Sequence, residues 1–130
     1  MPMKEDRIKT LLQASKSAGP LTVGFLLIPN FSMLAFASAL EPLRAANRMS
    51  GQDLFSWIIS SPTGATPEAS NGVRVDVQGT PEMLQDCRLV FVCAGLEVKA
   101  HTDKETLNLI RRLDRKGAII GAICTGTYLM

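Results

Sequence analysis

Four short apolar runs, separated by polar or helical segments, dominate the hydrophobic pattern of the chain. They cover residues 21–28, 54–60, 88–93 and 117–124. Short, nearly continuous apolar runs are typical of parallel strands buried on both faces. Because helical segments lie between them, the pattern predicts an α/β fold in which helices cover both faces of a parallel sheet.

Two longer helices are predicted between these strands. Apolar residues at helical spacing begin at Met33 and continue to about Asn47, after a possible capping residue at Ser32. Pro42 lies inside this pattern and predicts a kink or a break just before it. Gly51 would close the helix.

The second helix begins with a predicted capping box at residues 102–105. Its predicted buried stripe consists of Thr106, Leu109, Ile110 and Leu113. The basic residues lie largely outside that stripe and are most simply a solvated face; they are Arg111, Arg112, Arg115 and Lys116. A short third helix is predicted from the cap Thr80 and the following Pro81.

Two segments fit the alternating pattern less well. An Asn71-Gly72 pair precedes three alternating valines (73, 75 and 77), which predicts an antiparallel ribbon beside the main sheet. Residues 1–18 form a weak amphipathic helix that Gly19-Pro20 would stop. We therefore interpret residues 1–19 as an N-terminal extension and residues 20–130 as the domain.

The last strand leads into the candidate reactive residue, Cys124. Small residues, Ala122 and Gly126, flank it, which is the spacing that a sharp strand-to-helix turn requires. A helix beginning at Thr125 would place unpaired N–H groups beside the sulfur and favour a thiolate. The alternative is an inert core cysteine, which is how we interpret Cys87 and Cys93.

The bulk properties limit the function classes. A chain of 130 residues with 46% hydrophobic and 20% charged residues is one globular domain. No apolar run reaches membrane-spanning length, and no metal or cofactor is implied. Three cysteines without framework spacing fit a reducing, cytoplasmic compartment, and a net charge of +2 does not argue for nucleic acid.

Ligands of parallel sheets bind outside the carboxyl ends of the strands. Three loops leave those ends and are predicted to converge on one pocket. The candidate ligand-binding residues are Asn30, Phe31, Ala94, Gly95, Leu96, Cys124 and Thr125. Gly95 and the Thr125 N–H could contact a ligand or an oxyanion. The nearby Glu41 is interpreted as a solvated carboxylate, the alternative being a carboxylate that approaches Cys124.

The chain stops at Met130 within what should be a helix, without a cap or polar tail. An unfinished last helix would leave apolar surface bare. We therefore expect the chain to be a C-terminally truncated fragment of a longer protein.

Several motifs resemble a known family. Residues 122–126 resemble the ThiJ/PfpI branch of the class I glutamine amidotransferase-like superfamily, which implies a flavodoxin-like fold. Residues 29–33, 41–48, 69–72 and 92–96 are similar to the N-terminal domain of GlxA-type regulators of the AraC family. The branch that they resemble includes regulators of arginine, carnitine and glycine betaine catabolism.

This resemblance implies a non-catalytic domain that senses a small amino-acid-like or quaternary-ammonium metabolite. It also implies a separate helix-turn-helix domain, absent from this chain, through which an intact, homodimeric regulator would bind DNA. A ligand carboxylate could bind at the start of the helix at Thr125, and Phe31 could contact a cationic group by a cation–π interaction.

The main alternative is a cysteine-dependent hydrolase or isocyanide hydratase of the same superfamily. Peptidase and deglycase members carry a His after the cysteine and an acid in the first loop, whereas this chain has Thr125 and Ser32. The isocyanide hydratases carry an Asp in the segment after the first strand, and the comparable position of this chain is Ala35. The only histidine, His101, is expected at the surface, so Cys124 would lack a base. A structural or redox-sensing role is the remaining alternative.

Overall fold

The computed structural model describes residues 5, 6, 8, 9, 19–96 and 103–124. Within these ranges the strands are β1 (Leu21–Leu27), β2 (Phe55–Ser60), β3 (Leu89–Cys93) and β4 (Ile119–Ile123). The helices are α1 (Met33–Ser50), a 3₁₀ helix (Pro81–Asp86) and α2 (Lys104–Arg115). Of the predicted N-terminal helix, only Glu5, Asp6, Ile8 and Lys9 are described, and all four are helical.

The four strands form one parallel sheet in the order β2-β1-β3-β4. In the middle of the sheet, Gly24 pairs with Ile58 on one side and with Val90 on the other. The chain moves from β1 to β2 on one side and then to β3 on the opposite side of β1. The predicted parallel α/β sheet is therefore confirmed, and its switch point lies between β1 and β3.

Apolar residues cover both faces of the sheet. One core contains Leu26, Val90 and Ile120 from the strands together with the buried residues of α2 and Leu84 of the 3₁₀ helix. The other contains Phe25 and Phe36, with half-buried residues of α1 packed around them. Alternate residues of each strand contribute to opposite cores, which is the period of two expected for strands buried on both faces.

Helix α1 differs from its prediction at Pro42. Ser32 caps the helix as predicted, accepting a hydrogen bond from the Ala35 N–H (3.2 Å), and Gly51 closes it at φ 68°. The helix nevertheless runs through Pro42 to Ser50, so the predicted break is wrong. A proline removes only one backbone hydrogen bond, and residues packed on the sheet before and after it hold the helix together.

Helix α2 confirms the predicted stripe, because Thr106, Leu109, Ile110 and Leu113 are all buried. Its capping residue is different from the one predicted. Asp103 is the N-cap and accepts a hydrogen bond from the Thr106 N–H (2.7 Å). Asp is at least as good an N-cap as Thr. Because Asp103 takes this position, the helix starts one residue later than a capping box with Thr102 as N-cap would require.

The predicted antiparallel ribbon does not form as strands. Between residues 61 and 80, the antiparallel pairing is an isolated bridge between Glu68 and Arg74. The Asn71-Gly72 turn is present, with Gly72 at φ 86° and the Asn71 side chain accepting from the Val73 N–H (3.0 Å). Backbone hydrogen bonds from the Ala69 N–H to the Val73 carbonyl (2.8 Å) and from the Val75 N–H to the Pro67 carbonyl (3.2 Å) flank this bridge. The antiparallel pairing is therefore present but extends over too few residues to form strands.

Side-chain amides close the outer edge of β2. Asn47, from α1, donates to the Phe55 carbonyl (2.8 Å) and accepts from the Phe55 N–H (2.9 Å). Gln78 accepts from the Ile59 N–H (2.6 Å). An edge strand otherwise presents unpaired backbone groups, and these two amides satisfy them at both ends of β2.

No helix of the described residues is long and apolar enough to cross a membrane.

We expect Asn47→Ala to lower the free energy of unfolding by about 1–2 kcal/mol, since it removes both hydrogen bonds to Phe55. Urea unfolding would measure the loss. Asn47→Asp should be no milder than the alanine variant, because it keeps the acceptor for the Phe55 N–H but sets a carboxylate oxygen against the Phe55 carbonyl oxygen, and two acceptors repel. A loss well below 1 kcal/mol in Asn47→Ala would contradict a role for the paired hydrogen bonds.

Candidate functional site

Cys124 lies at a strained turn directly after β4. Its φ is 59°, in the left-handed region that non-glycine residues rarely adopt, and the residue is exposed. A β-strand that ends in a left-handed residue turns sharply and presents that side chain outside the sheet. The predicted turn is therefore confirmed up to Cys124, and Cys124 itself is not a buried core cysteine.

The loops after β1 and β3 are joined by backbone hydrogen bonds. The Ser32 N–H donates to the Ala94 carbonyl (3.2 Å), and the Leu96 N–H donates to the Asn30 carbonyl (3.1 Å). Phe31 and Gly95 form an isolated antiparallel bridge. The crevice expected at the β1/β3 switch point is thus bridged by the chain itself.

The end of β4 is also bonded to this junction of the β1 and β3 loops. The Ala94 N–H donates to the Ile123 carbonyl (3.4 Å), one residue before Cys124. All three loop ends predicted to converge therefore meet at one rim. Hydrogen bonds of the peptide backbone hold them there.

Gly95 serves this junction. A Cβ atom at Gly95 would lie 2.9 Å from the Ser32 nitrogen and 3.0 Å from the Phe31 carbonyl carbon, and it would also collide with the Asn30 carbonyl oxygen. The absence of a side chain therefore allows the two loops to approach each other. From the sequence we predicted that the missing side chain of Gly95 would let a ligand come close. In the structure, the backbone of the loop after β1 occupies that position.

The predicted ligand residues differ in accessibility. Phe31 and Ala94 are buried, and the Phe31 ring packs edge-on against Phe36 with centroids 5.9 Å apart. This placement does not favour the cation–π role predicted for Phe31. Asn30 is half-buried at φ 65°, and Leu96 is 64% exposed. Thr125 and His101 lie outside the described residues.

This rim, which we define as residues 29–34, 94–96 and 124, carries no ionisable side chain other than Cys124. Residues 68–70 adjoin it through backbone hydrogen bonds to Asn30 and Phe31, and the Glu68 carboxylate there lies 3.8 Å from the Arg74 guanidinium. Glu41, the carboxylate that could have approached the sulfur, instead accepts from the Arg44 guanidinium (2.8 Å from Nε) on the exposed side of α1. Among the described residues, no cluster of His, Cys, Asp or Glu could hold a metal ion.

The other two cysteines are buried in the cores, as predicted. Burial raises the pKa of the Cys87 thiol to about 11 and that of Cys93 to about 12, because a thiolate would lose its hydration there. Both are therefore protonated thiols near neutral pH. Thiolate chemistry at these two positions would require local unfolding.

We expect one thiol per native chain to react quickly with an alkylating reagent at neutral pH, and two more to react only on unfolding. Mass spectrometry after a short iodoacetamide pulse would place the modification on Cys124. The Cys124→Ser variant should show almost no fast labelling. Equal labelling of Cys87 or Cys93 in native protein would contradict the burial that the structure gives these residues.

A cleft of about 590 Å³ lies elsewhere, between α2 and the 3₁₀ helix. Its charged lining includes Glu82, Glu105, Arg112 and Arg115. A hydrogen bond from Thr80 and the nearby Arg112 both lower the pKa of Glu82. The sequence analysis missed this cleft, although the spacing of Arg112 and Arg115 places them on neighbouring positions of the helix. The two acidic and two basic residues that line this cleft are all exposed to water.

The chain is similar to curated bacterial transcription regulators. It is 42% identical over 106 residues to HTH-type transcriptional regulator CdhR of Pseudomonas aeruginosa, covering 82% of this chain and 31% of CdhR. It is 37% identical over 118 residues to HTH-type transcriptional regulator GlxA of Rhizobium meliloti, covering 90% of this chain and 36% of GlxA. The chain thus spans about a third of the length of these relatives.

Solved structures share its fold. An AraC family transcriptional regulator from Pseudomonas putida superposes with a TM-score of 0.69 at 26% identity, covering 79% of this chain and 55% of that one. A ThiJ/PfpI family protein from Pseudomonas syringae gives 0.65 at 16% identity, covering 85% and 45% respectively, which supports the fold alone. No protein-family model matches the chain. In sequence the chain is similar to part of HTH-type transcriptional regulators such as GlxA and CdhR, and its fold is that of ThiJ/PfpI family proteins.

Proposed function

We propose that this chain is the metabolite-sensing domain of an AraC-family transcriptional regulator, and that it is not an enzyme. The resemblance to CdhR and GlxA supports the regulatory role. In the intact protein a separate helix-turn-helix domain would bind DNA, and a reducing, cytoplasmic location fits the free cysteines. Ligand binding would act by favouring one arrangement of the domain relative to its partners.

The observation that carries the non-catalytic proposal is the environment of Cys124. The sulfur is exposed on a strained turn, while the described rim around it provides no acid or imidazole. A cysteine nucleophile needs a neighbouring base for efficient turnover. Glu41, whose approach to Cys124 was the alternative in the sequence analysis, instead accepts a hydrogen bond from Arg44. A turn of this kind without a base is suited to binding.

The proposed ligand is a small amino-acid-like or quaternary-ammonium metabolite. Its carboxylate would bind near Cys124 and Thr125, where the sequence predicts the start of a helix and such a start would favour anions. Its less polar end would lie along the uncharged part of the rim formed by Asn30, Ala94, Gly95 and Leu96. Methylated ammonium groups donate no hydrogen bonds and therefore tolerate such a surface better than a primary amine would.

Differential scanning fluorimetry against a panel of betaines, carnitine and free amino acids tests the proposal. A ligand at about 100 times its Kd would stabilise the native state by about 2.7 kcal/mol and raise Tm. Cys124→Ser should keep most of this response, because the proposal gives the sulfur no chemical step. Leu96→Lys should weaken it, because the new side chain places a second positive charge beside the ammonium end of the ligand. No response to any compound of the panel would contradict the ligand class.

A second candidate is a cysteine-dependent hydrolase or hydratase. The left-handed φ of Cys124 together with its exposure favours it, since nucleophiles at strained turns have this geometry. Incubation with esters, amides and isocyanides would test it. Turnover that is lost in Cys124→Ala would support the enzyme and contradict the sensing proposal, whereas turnover that survives the substitution would come from a contaminant.

A further inference from the structure

The cleft between α2 and the 3₁₀ helix shares no residue with the rim around Cys124. Its volume of about 590 Å³ lies within the range of small-molecule sites, about 300–1,000 Å³. Neither the regulatory role nor the chemistry of Cys124 makes use of it. The cleft is therefore large enough for a ligand that binds independently of the rim.

Direct contacts hold the two walls of this cleft together. Leu84 of the 3₁₀ helix and Leu109 of α2 belong to the same buried core. At the other end of the 3₁₀ helix, the Lys116 ammonium group donates a hydrogen bond to the side-chain oxygen of Gln85 (2.7 Å). A cleft whose walls are already tied together costs little reorganisation when a ligand binds.

Opposite charges face each other across the cleft. Glu82 lies on the 3₁₀ helix and Arg112 lies on α2. A hydrogen bond from Thr80 lowers the pKa of Glu82 and the charge of Arg112 lowers it further, so the carboxylate is ionised near neutral pH. Among the described residues, however, neither Glu82 nor Arg112 is part of an ion pair. The two charges thus attract each other across a gap that a ligand could fill.

A second acid and a second base line the same cleft. Glu105 lies two turns before Arg112 on α2, and Arg115 lies about one turn after it. Neither is paired with an oppositely charged side chain in the described part of the chain. Two acids would repel a purely anionic ligand, and two bases would repel a purely cationic one. The balance of charge favours a ligand that carries both signs.

The surface between these charges is apolar. Leu109, which is 3% exposed, lies between Glu105 and Arg112 along α2. Pro81, beside Glu82, is also buried. A hydrocarbon linker in the ligand would cover this surface and separate the two charged ends. The adjacent charges of an α-amino acid would leave it bare.

We propose that this cleft binds a small zwitterion whose ammonium and carboxylate groups are separated by an apolar linker, as in an ω-amino acid. The carboxylate accepts hydrogen bonds from the guanidinium groups of Arg112 and Arg115, and the ammonium group donates to Glu82 and Glu105. The linker lies on Leu109. The proposal depends on the cleft alone and not on the ligand proposed for the rim.

Amide NMR spectra of the isotope-labelled chain, titrated with ε-aminocaproate, test this site. We expect saturable shifts at the amides of the 3₁₀ helix and α2, with a Kd in the millimolar range, because exposed ion pairs contribute little energy each. The amides of residues 94–96 in the rim should not move. Shifts confined to the rim would assign the ligand to the rim and overturn the cleft as its site.

Charge removal tests the residues. Arg112→Gln and Glu82→Gln should each raise the Kd about threefold or more. Arg48→Gln is the matched control, because Arg48 lies in the last turn of α1, as Arg112 does in α2, but α1 covers the other face of the sheet. Circular dichroism would verify that each variant keeps the helical content of the parent chain.

Ligand analogues test the chemistry. Caproate and hexylamine each carry one of the two charges, and glycine carries both without a linker, so all three should bind more weakly than ε-aminocaproate. Equal binding of any of these analogues would overturn the proposal. So would the absence of saturable shifts at the cleft, or an equal loss of affinity in Arg48→Gln and Arg112→Gln.

Discussion

Replacing Phe25 with alanine should lower the free energy of unfolding by about 3–5 kcal/mol, the largest loss that we expect from a single substitution in this chain. Phe25 has no exposed surface. Its ring lies 5.5 Å from that of Phe36, edge to face, and 5.7 Å from that of Phe91, stacked. The variant would lose all of this contact, and three packed elements would surround the resulting cavity.

A loss of that size is a large fraction of the stability of a small domain, about 5–15 kcal/mol. Urea unfolding followed by the fluorescence of the single tryptophan, Trp57, would measure it. Phe55→Ala is the matched control, because it is the same substitution at a half-buried position, the first residue of β2. If the two variants lost equal stability, Phe25 could not be the centre of this core. Phe25→Leu provides a milder change if the alanine variant does not fold.

The sequence predicted the parts of the fold that depend on local pattern. Each strand was visible because residues buried on both faces must be apolar in succession, as in β1. The stripe of α2 was visible because its outer face is charged, so that Leu109 and Leu113 stand out. In α1 the pattern placed the helix, but Pro42 suggested a break that tertiary packing overrides.

The sequence was less informative wherever partners distant in the chain decide the outcome. The strained turn at Cys124 was predictable, because the small flanking residues are local to it. The bridging of the β1 and β3 loops was not, because the neighbour of Gly95 is Asn30, more than sixty positions earlier. For the same reason, the sequence could not show that Phe31 is a core residue. The pairing of Glu41 with Arg44 is local, three residues apart on one helix, and the sequence analysis missed it.

The loop junction leads to the second prediction, that Gly95→Ala destabilises the domain by about 1–3 kcal/mol and disturbs the rim. The new Cβ atom would meet backbone atoms of Asn30, Phe31 and Ser32. Backbone atoms cannot rotate away, so the two loops must separate and lose hydrogen bonds such as the one from Leu96 to Asn30. The smaller entropy of the unfolded alanine chain would offset only about 0.4–1 kcal/mol of this cost.

Gly24→Ala is the appropriate comparison. Its Cβ atom would meet only side-chain atoms, at 2.9 Å from Leu84 and 3.2 Å from the Cys87 sulfur, and these can shift. We therefore expect Gly24→Ala to lose stability without altering the rim, whereas Gly95→Ala loses stability and also changes the alkylation rate of Cys124. The Cys124 loop is tied to the junction through the hydrogen bond between Ala94 and Ile123, which gives the reaction rate its sensitivity to the loop positions. An unchanged rate in Gly95→Ala would mean that the β1 and β3 loops do not position Cys124.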